Sequence, residues 1–256
     1  FLKAAGTARE EQPVAANVDI LFLCMALNND FNLRRLERYL AAAWNSGATP
    51  VVVLTKADLC GNPSEKVADV EEAAPGTDVL LTSAAQEDGI RPLLPYLTPG
   101  RTVAFVGSSG VGKSTLMNGL LGKEILATGG LRNDDRGRHT TTRRQMFFLP
   151  GGAALIDTPG MRELGLWDSE SGLETAFADI EALARQCRFQ DCRHEKEPGC
   201  AVRAALASGE LSEERFRSWQ RLSAENRYAD DRAAHMSAKE KKFRMIAQFN
   251  KSNSKR

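Results

Sequence analysis

Thr102–Thr115, TVAFVGSSGVGKST, runs from an apolar stretch through a glycine-rich turn into a helix-like segment. That order is the context of a phosphate-binding loop, in which backbone N–H groups and a helix N-terminus surround a phosphate. Gly107 and Gly112 bracket the turn, and Ser108, Ser109, Gly110 and Val111 supply amides that can point inward. Lys113 is placed to neutralise β- and γ-phosphate oxygens, and the Ser114 hydroxyl, followed by Thr115, to ligate Mg²⁺. A turn that merely joined strand to helix would leave the Lys-Ser pair without a purpose. A nucleoside triphosphate is the implied ligand, with its base left open by the loop itself.

Base identity is read upstream, in VVVLTKADL, where an apolar strand ends in Thr55, Lys56, Ala57 and Asp58. A carboxylate at Asp58 can accept both N1–H and N2–H₂ of guanine, a donor pair that adenine lacks, while the Lys56 stem lies along the ring. A site built for that pair rejects the mismatched base by up to roughly 10⁴- to 10⁵-fold. Asn is the usual residue at the Thr55 position, so a hydroxyl here predicts weaker support of the neighbouring loop or weaker affinity. In LLTSA, Ser83 and Ala84 end another apolar run, where a backbone amide can meet guanine O6.

A third element, AALIDTPG, delivers Asp157 to the water shell of Mg²⁺ and Gly160 to the γ-phosphate. Between loop and strand, Leu131 to Gln145 is polar and without apolar period, as expected of a switch ordered by γ-phosphate and Mg²⁺. One of Thr140, Thr141 and Thr142 is expected to give the second Mg²⁺ hydroxyl, and Thr141 is the choice. Met161 follows Gly160, where many GTPases carry the glutamine that orients water, and a thioether cannot replace it. His139, beside the switch threonines, is the candidate substitute, because a neutral imidazole can orient or accept from water.

Guanine box, TSA, phosphate loop, threonine switch and DTPG follow one another in an order circularly permuted from an ordinary G domain. The permutation is physically acceptable because ligand loops gather at the carboxyl edge of a doubly wound sheet. With AANVDILFL, NLRRLERYL, GRHTTT and a Cys/His cluster, the chain resembles the circularly permuted, ribosome small subunit-dependent GTPase A family, also called RsgA or YjeQ. The resemblance implies a GTPase acting in late small-subunit maturation, with the 30S subunit and its 16S rRNA as partner. It also makes residues 1–15 resemble the end and linker of an oligonucleotide-binding barrel.

The cluster CRFQDCRHEKEPGC places Cys187, Cys192, His194 and Cys200 close together. Three thiolates and an imidazole suit tetrahedral Zn²⁺, and four protein ligands leave no position for water, so the metal is read as structural. Cys24 reads as a small hydrophobe in a buried strand and Cys60 as a loop thiol. The five cysteines show no disulfide-rich spacing and no signal peptide is recognised, which suggests the cytoplasm. LSEERFRSWQRLSAENRYA reads as a helix capped by Ser212, with Phe216, Trp219 and Leu222 or Ser223 along one stripe.

At 256 residues, 42% hydrophobic, 26% charged and net +1, the composition is that of a globular protein rather than a polycation or a membrane span. Strands are expected at 18–27, 50–54, 78–82 and 101–106, and helices at 32–45, 63–74, 89–97 and 113–121. QMFFLPGGAALID adds two strands around a turn at Pro150. Such alternation predicts an α/β fold with a mainly parallel sheet. The expected division is 1–15 linker, 16–180 permuted GTPase domain and 181–256 zinc-stapled helical domain, in a monomer. Arg136, Arg138, Arg143 and Arg144 in the switch, and a basic tail, are candidate RNA contacts. Two other readings compete: a zinc-stapled RNA-binding module whose nucleotide site only sets conformation, and a P-loop enzyme using ATP, which Asp58 argues against.

Overall fold

The computed structural model describes residues 2–5, 10–86, 88–126, 145–158 and 170–228. Strands β1 (Leu2–Ala5) and β2 (Glu10–Pro13) form an antiparallel pair of their own. The main sheet contains β3 (Ile20–Ala26), β4 (Thr49–Thr55), β5 (Asp78–Leu81), β6 (Thr102–Gly107), β7 (Gln145–Phe148) and β8 (Ala154–Asp157). Their spatial order is β5-β4-β3-β6-β8-β7. All neighbours pair in parallel except β7, which returns antiparallel on β8 at one edge through the turn at Pro150.

Central β3, ILFLCMA, is apolar throughout because both of its faces are covered. Leu21, Leu23 and Met25 point into one buried cluster, and Ile20, Phe22, Cys24 and Ala26 into the other, as the two-residue period of a strand requires. The first cluster is closed by α1 (Leu33–Asn45), α2 (Pro63–Ala73) and α4 (Glu170–Ala176). The second is closed by α3 (Lys113–Leu121) and by Leu93 and Tyr96. Phe22 sits edge-on to Phe105 at 5.2 Å and to Tyr96 at 5.8 Å, the quadrupole-favoured arrangement.

Local signals account for the helix starts. Asn32 caps α1 by accepting from Arg35 N at 2.9 Å, and Asn62 precedes Pro63 at the first position of α2. The expected helix at 89–97 is instead a 3₁₀ turn at Arg91–Tyr96. Pro92 and Pro95 lack N–H groups, and a second proline three residues after the first prevents an α-helical ladder from developing.

Three further helices complete the described chain: α5 (Ala178–Ala184), α6 (Ala201–Ser208) and α7, residues 213–228. Ser212 caps α7, with its Oγ accepting from Arg215 N at 3.2 Å. Phe216 and Leu222 are buried and Trp219 packs beside them, so the stripe read from the sequence is core. Val202, Ala205, Leu211, Phe216 and Leu222 belong to the same buried cluster as Leu21 and Leu23 of β3. The C-terminal helices thus share the core on the α1 side of the sheet. Among the described residues no helix is long and apolar enough to cross a membrane.

Candidate functional site

Strand order runs outward in opposite directions from the β3/β6 pair, which makes their carboxyl ends a topological switch point. The carboxyl ends of β3, β4, β5, β6 and β8 all lie along that edge because these strands are parallel. Gly107 ends β6 opposite Cys24, and Thr55 ends β4 opposite Ala26, so phosphate loop and guanine box flank one strand end.

The phosphate loop fits its place only with glycine at its ends. A Cβ on Gly107 would lie 2.5 Å from the Cys24 carbonyl oxygen, and Gly112 has φ of +105° at the N-cap of α3. Lys113 is buried, and its Nζ donates to the carbonyls of Gly107 at 2.9 Å and Ser108 at 2.8 Å, at the centre of the turn. Burial pushes its pKa down, while the nearby Cys24, Asp157 and Asp30 oppose that shift. Asp157 is fully buried at the end of β8, and the adjacent Thr158 hydroxyl donates to Phe105 O at 2.5 Å, tying this strand end to β6. Burial also raises the Cys24 thiol to about 12, so it stays protonated beside Lys113.

The guanine box meets the loop directly. Thr55 Oγ1 donates to the carbonyl of Val111 at 2.5 Å, across 56 positions of sequence. The hydroxyl thus bears directly on the loop. Lys56 has φ of +57°, which turns the chain sharply into the 3₁₀ segment Ala57–Leu59 and leaves Asp58 exposed at the edge. Ser83 Oγ donates to Asp58 Oδ1 at 2.5 Å and so orients the carboxylate. The Ser83 N–H is taken by Gly89 O at 3.0 Å, and Ala84 follows, exposed, in the same turn. Ser109 and Gly110 lie at the rim of the loop, with Ser114 and Thr115 in the first turn of α3.

His139, Thr140, Thr141, Thr142, the switch arginines, Gly160, Met161 and the basic tail lie outside the described residues.

The four Cys/His residues come together in the connection between α5 and α6. Their ligand atoms all lie within 4.8 Å of one another. A tetrahedral zinc with thiolates at about 2.3 Å spaces sulfur atoms about 3.8 Å apart and sulfur from nitrogen slightly less. The sulfurs of Cys187 and Cys200 are 3.8 Å apart, and His194 Nδ1 is 3.6 Å from Cys187 Sγ and 3.4 Å from Cys200 Sγ. The donor set and the three edges among Cys187, His194 and Cys200 therefore fit such an ion, with Cys192 Sγ within 4.8 Å of the other ligand atoms. Cys200 also caps α6, accepting from Arg203 N at 3.4 Å, a position where the helix dipole favours a thiolate. Burial lowers the His194 pKa and favours the neutral imidazole that binds metal. Trp219 meets the His194 ring edge-on at 5.7 Å and stacks on Phe216, so α7 buttresses the knuckle.

Sequence reading missed a buried ion network beneath the knuckle. All five N–H groups of Arg215 are used: Nε and Nη2 bind Asp179 at 2.7 and 2.8 Å, and Nη2 also binds Ala176 O at 3.0 Å. Nη1 binds Glu37 at 3.2 Å and Ala73 O at 3.1 Å. Ser218 donates to the other Glu37 oxygen, and Arg34 pairs with Glu37 at 2.6 Å. A polar residue inside the apolar stripe of α1, Glu37 in RRLERYL, was the available signal.

The sequence model of the RsgA GTPase family matches residues 2–167. An ABC transporter model matches residues 92–255, a span that includes the phosphate loop common to many P-loop proteins but omits the Thr55–Asp58 box. A small ribosomal subunit biogenesis GTPase RsgA 2 of Lactiplantibacillus plantarum is 54% identical over 227 residues, which cover 88% of this chain and 64% of that protein. Its counterpart RsgA in Methanosarcina acetivorans is 50% identical over 231 residues, covering 90% and 63%. The chain thus spans less than two thirds of the length of these relatives. The crystal structure of YjeQ from Thermotoga maritima is similar with a TM-score of 0.60 at 29% identity, covering 80% of this chain and 70% of that one. YloQ, described as a circularly permuted GTPase, gives 0.59 at 26% identity, covering 84% and 69%.

Proposed function

Since the chain belongs to the RsgA GTPase family, we propose that it binds GTP and hydrolyses it to GDP and phosphate, stimulated by the small ribosomal subunit during that particle's late maturation. One observation carries the reading. The 2.5 Å bond from Thr55 to Val111 brings a carboxylate-bearing base loop against a phosphate loop, as one guanine nucleotide spanning both requires. Lys56 and Asp58 take the base, with Ser83 orienting Asp58 and the Ala84 amide meeting O6. Gly107 to Gly112 take the phosphates through their amides.

Lys113 turns from the loop carbonyls to the β- and γ-phosphate oxygens and spreads the charge that develops as water attacks in line. Ser114 and Thr141 would hold Mg²⁺, with Asp157 facing its water shell, and that ion would supply charge neutralisation to the phosphates. Gly160 reads the γ-phosphate and His139 orients the attacking water. Cys187, Cys192, His194 and Cys200 would hold a structural Zn²⁺ that fixes the α5–α6 connection. The division into a linker at 1–15, a GTPase domain at 16–180 and a metal-stapled segment at 181–256 belongs to this proposal. So do a monomeric state, the cytoplasm as its location and 16S rRNA as the surface contacted, with the switch arginines among the contacts.

Release of phosphate from GTP in a single turnover, with and without purified 30S subunits, tests the reading. Slow release alone and markedly faster release with subunits is expected. Tight GTP binding with no release in either case would instead support an RNA-binding module whose nucleotide only sets conformation.

A further inference from the structure

The phosphate loop is also held from behind, by residues outside every nucleotide motif. Ser108 is buried, and its hydroxyl donates to Asp30 Oδ2, in the connection between β3 and α1. Arg35, in the first turn of α1, closes on the same carboxylate: Nη1 lies 3.2 Å from Oδ1 and Nη2 lies 3.0 Å from Oδ2. Nη2 donates to the Asp30 carbonyl as well. The Asp30 N–H is fixed by Asn28 Oδ1 at 3.0 Å, and the Arg35 N–H by the Asn32 cap. The carboxylate is therefore held at its backbone and by an arginine fork before it meets Ser108. On the other side of Ser108, its carbonyl accepts from Lys113 Nζ at 2.8 Å. A continuous chain Arg35–Asp30–Ser108–Lys113 results, linking α1 to the phosphate-binding lysine.

A buried hydroxyl that donates to a charged acceptor is among the stronger hydrogen bonds a loop can make. A loop whose amides must converge on a phosphate gains affinity when its bound conformation is set in advance. We propose that Asp30, held by Arg35, is a positioning residue for the phosphate loop: through Ser108 it fixes the loop in its binding conformation ahead of the nucleotide. The inference rests on reading Gly107 to Thr115 as the phosphate site. It assigns Asp30 no contact with nucleotide.

The test is a double-mutant cycle read first by amide hydrogen exchange in the nucleotide-free chain, over residues 109–113. Ser108→Ala is expected to speed exchange about tenfold in the wild-type background and to change it less than about twofold in an Asp30→Ala background. Ser108→Thr, which keeps the hydroxyl, should restore slow exchange. Arg35→Gln, which frees the carboxylate, should speed exchange at the same amides and serves as the second arm if Asp30→Ala does not fold. GDP dissociation constants should follow the same non-additive pattern. Equal effects of Ser108→Ala in both backgrounds, or no effect of either Ser108→Ala or Arg35→Gln, would overturn the proposal. An intact exchange cycle in a chain that fails to bind GDP would sink the nucleotide reading and leave the anchor standing.

Discussion

At the scale of single residues, the chemistry concentrates in a few side chains whose partners are far away in sequence. Asp58 is aimed by Ser83, and Thr55 is spent on the loop rather than on a ligand. Thr55→Val keeps the shape and removes the donor, leaving a loop carbonyl without its bond. GDP affinity should fall about fivefold, equivalent to about 1 kcal/mol, by isothermal titration. Thr55→Asn, by contrast, must fit a longer side chain where Thr55 Oγ1 already lies 2.5 Å from the Val111 carbonyl oxygen, and should not exceed wild-type affinity. Lys113, Asp58 and the four Cys/His positions were legible in sequence because each sits in a motif whose spacing is itself the chemistry. The role of Thr55 was not, since its bond depends on how closely β4 and the loop approach. Asp30 was equally hidden: nothing in NNDF distinguishes a loop anchor from a helix-leading turn.

Among the elements, the Cys/His knuckle shows how a short connection is shaped by side chain to backbone bonds. Glu197 accepts from the N–H groups of Arg193 at 3.0 Å, Glu195 at 2.8 Å and Lys196 at 3.0 Å, closing the turn that carries His194. Hydrogen bonds from backbone N–H groups, its own and that of Arg193 foremost, hold its carboxyl at about 2, below the usual 4.5. A depressed carboxyl contributes fully above its unfolded value near 4.5, and that contribution is lost as the pH falls toward 2. Glu197→Ala should therefore weaken zinc binding about tenfold at neutral pH, by competition with a chromophoric chelator; an unchanged affinity would remove Glu197 from the account. The helix start at Ser212 was read from its capping residue, and Asn32 and Asn62 carry the same signal unread. The 3₁₀ turn at Arg91–Tyr96 was foreshadowed by its prolines, although apolar periodicity alone suggested an α-helix.

Across the whole molecule, the C-terminal helices and the sheet share one buried cluster, and Arg215 is its polar hub between α1, α5 and α7. Arg215→Ala removes the cation that Glu37 and Asp179 share, and should lower stability by about 3 kcal/mol in urea unfolding, the low end for a broken buried pair because Glu37 keeps Arg34 and Asp179 is partly exposed. Arg215→Lys, lacking the planar fork, should recover only part of that loss. If the Cys/His knuckle holds zinc, chelation should expose residues 185–228 to protease first and, because Val202, Phe216 and Leu222 share the cluster of Leu21 and Leu23, should lower protection on the α1 side of the sheet as well; unchanged protection after complete metal removal would contradict this. The strand alternation and the permuted order of the motifs were enough to foresee a parallel sheet with its loops on one edge. The continuous core was not foreseeable, because apolar stripes do not name the surface they will cover. The central claim is that one small molecule spans the Lys113 loop and the Asp58 box. Titration of GDP and ADP against the wild-type chain and Asp58→Ala tests it most directly. The account predicts that GDP binds at least about 10³-fold tighter than ADP and that Asp58→Ala abolishes this preference. Equal binding of GDP and ADP by the wild type, or a preference untouched by Asp58→Ala, would contradict it.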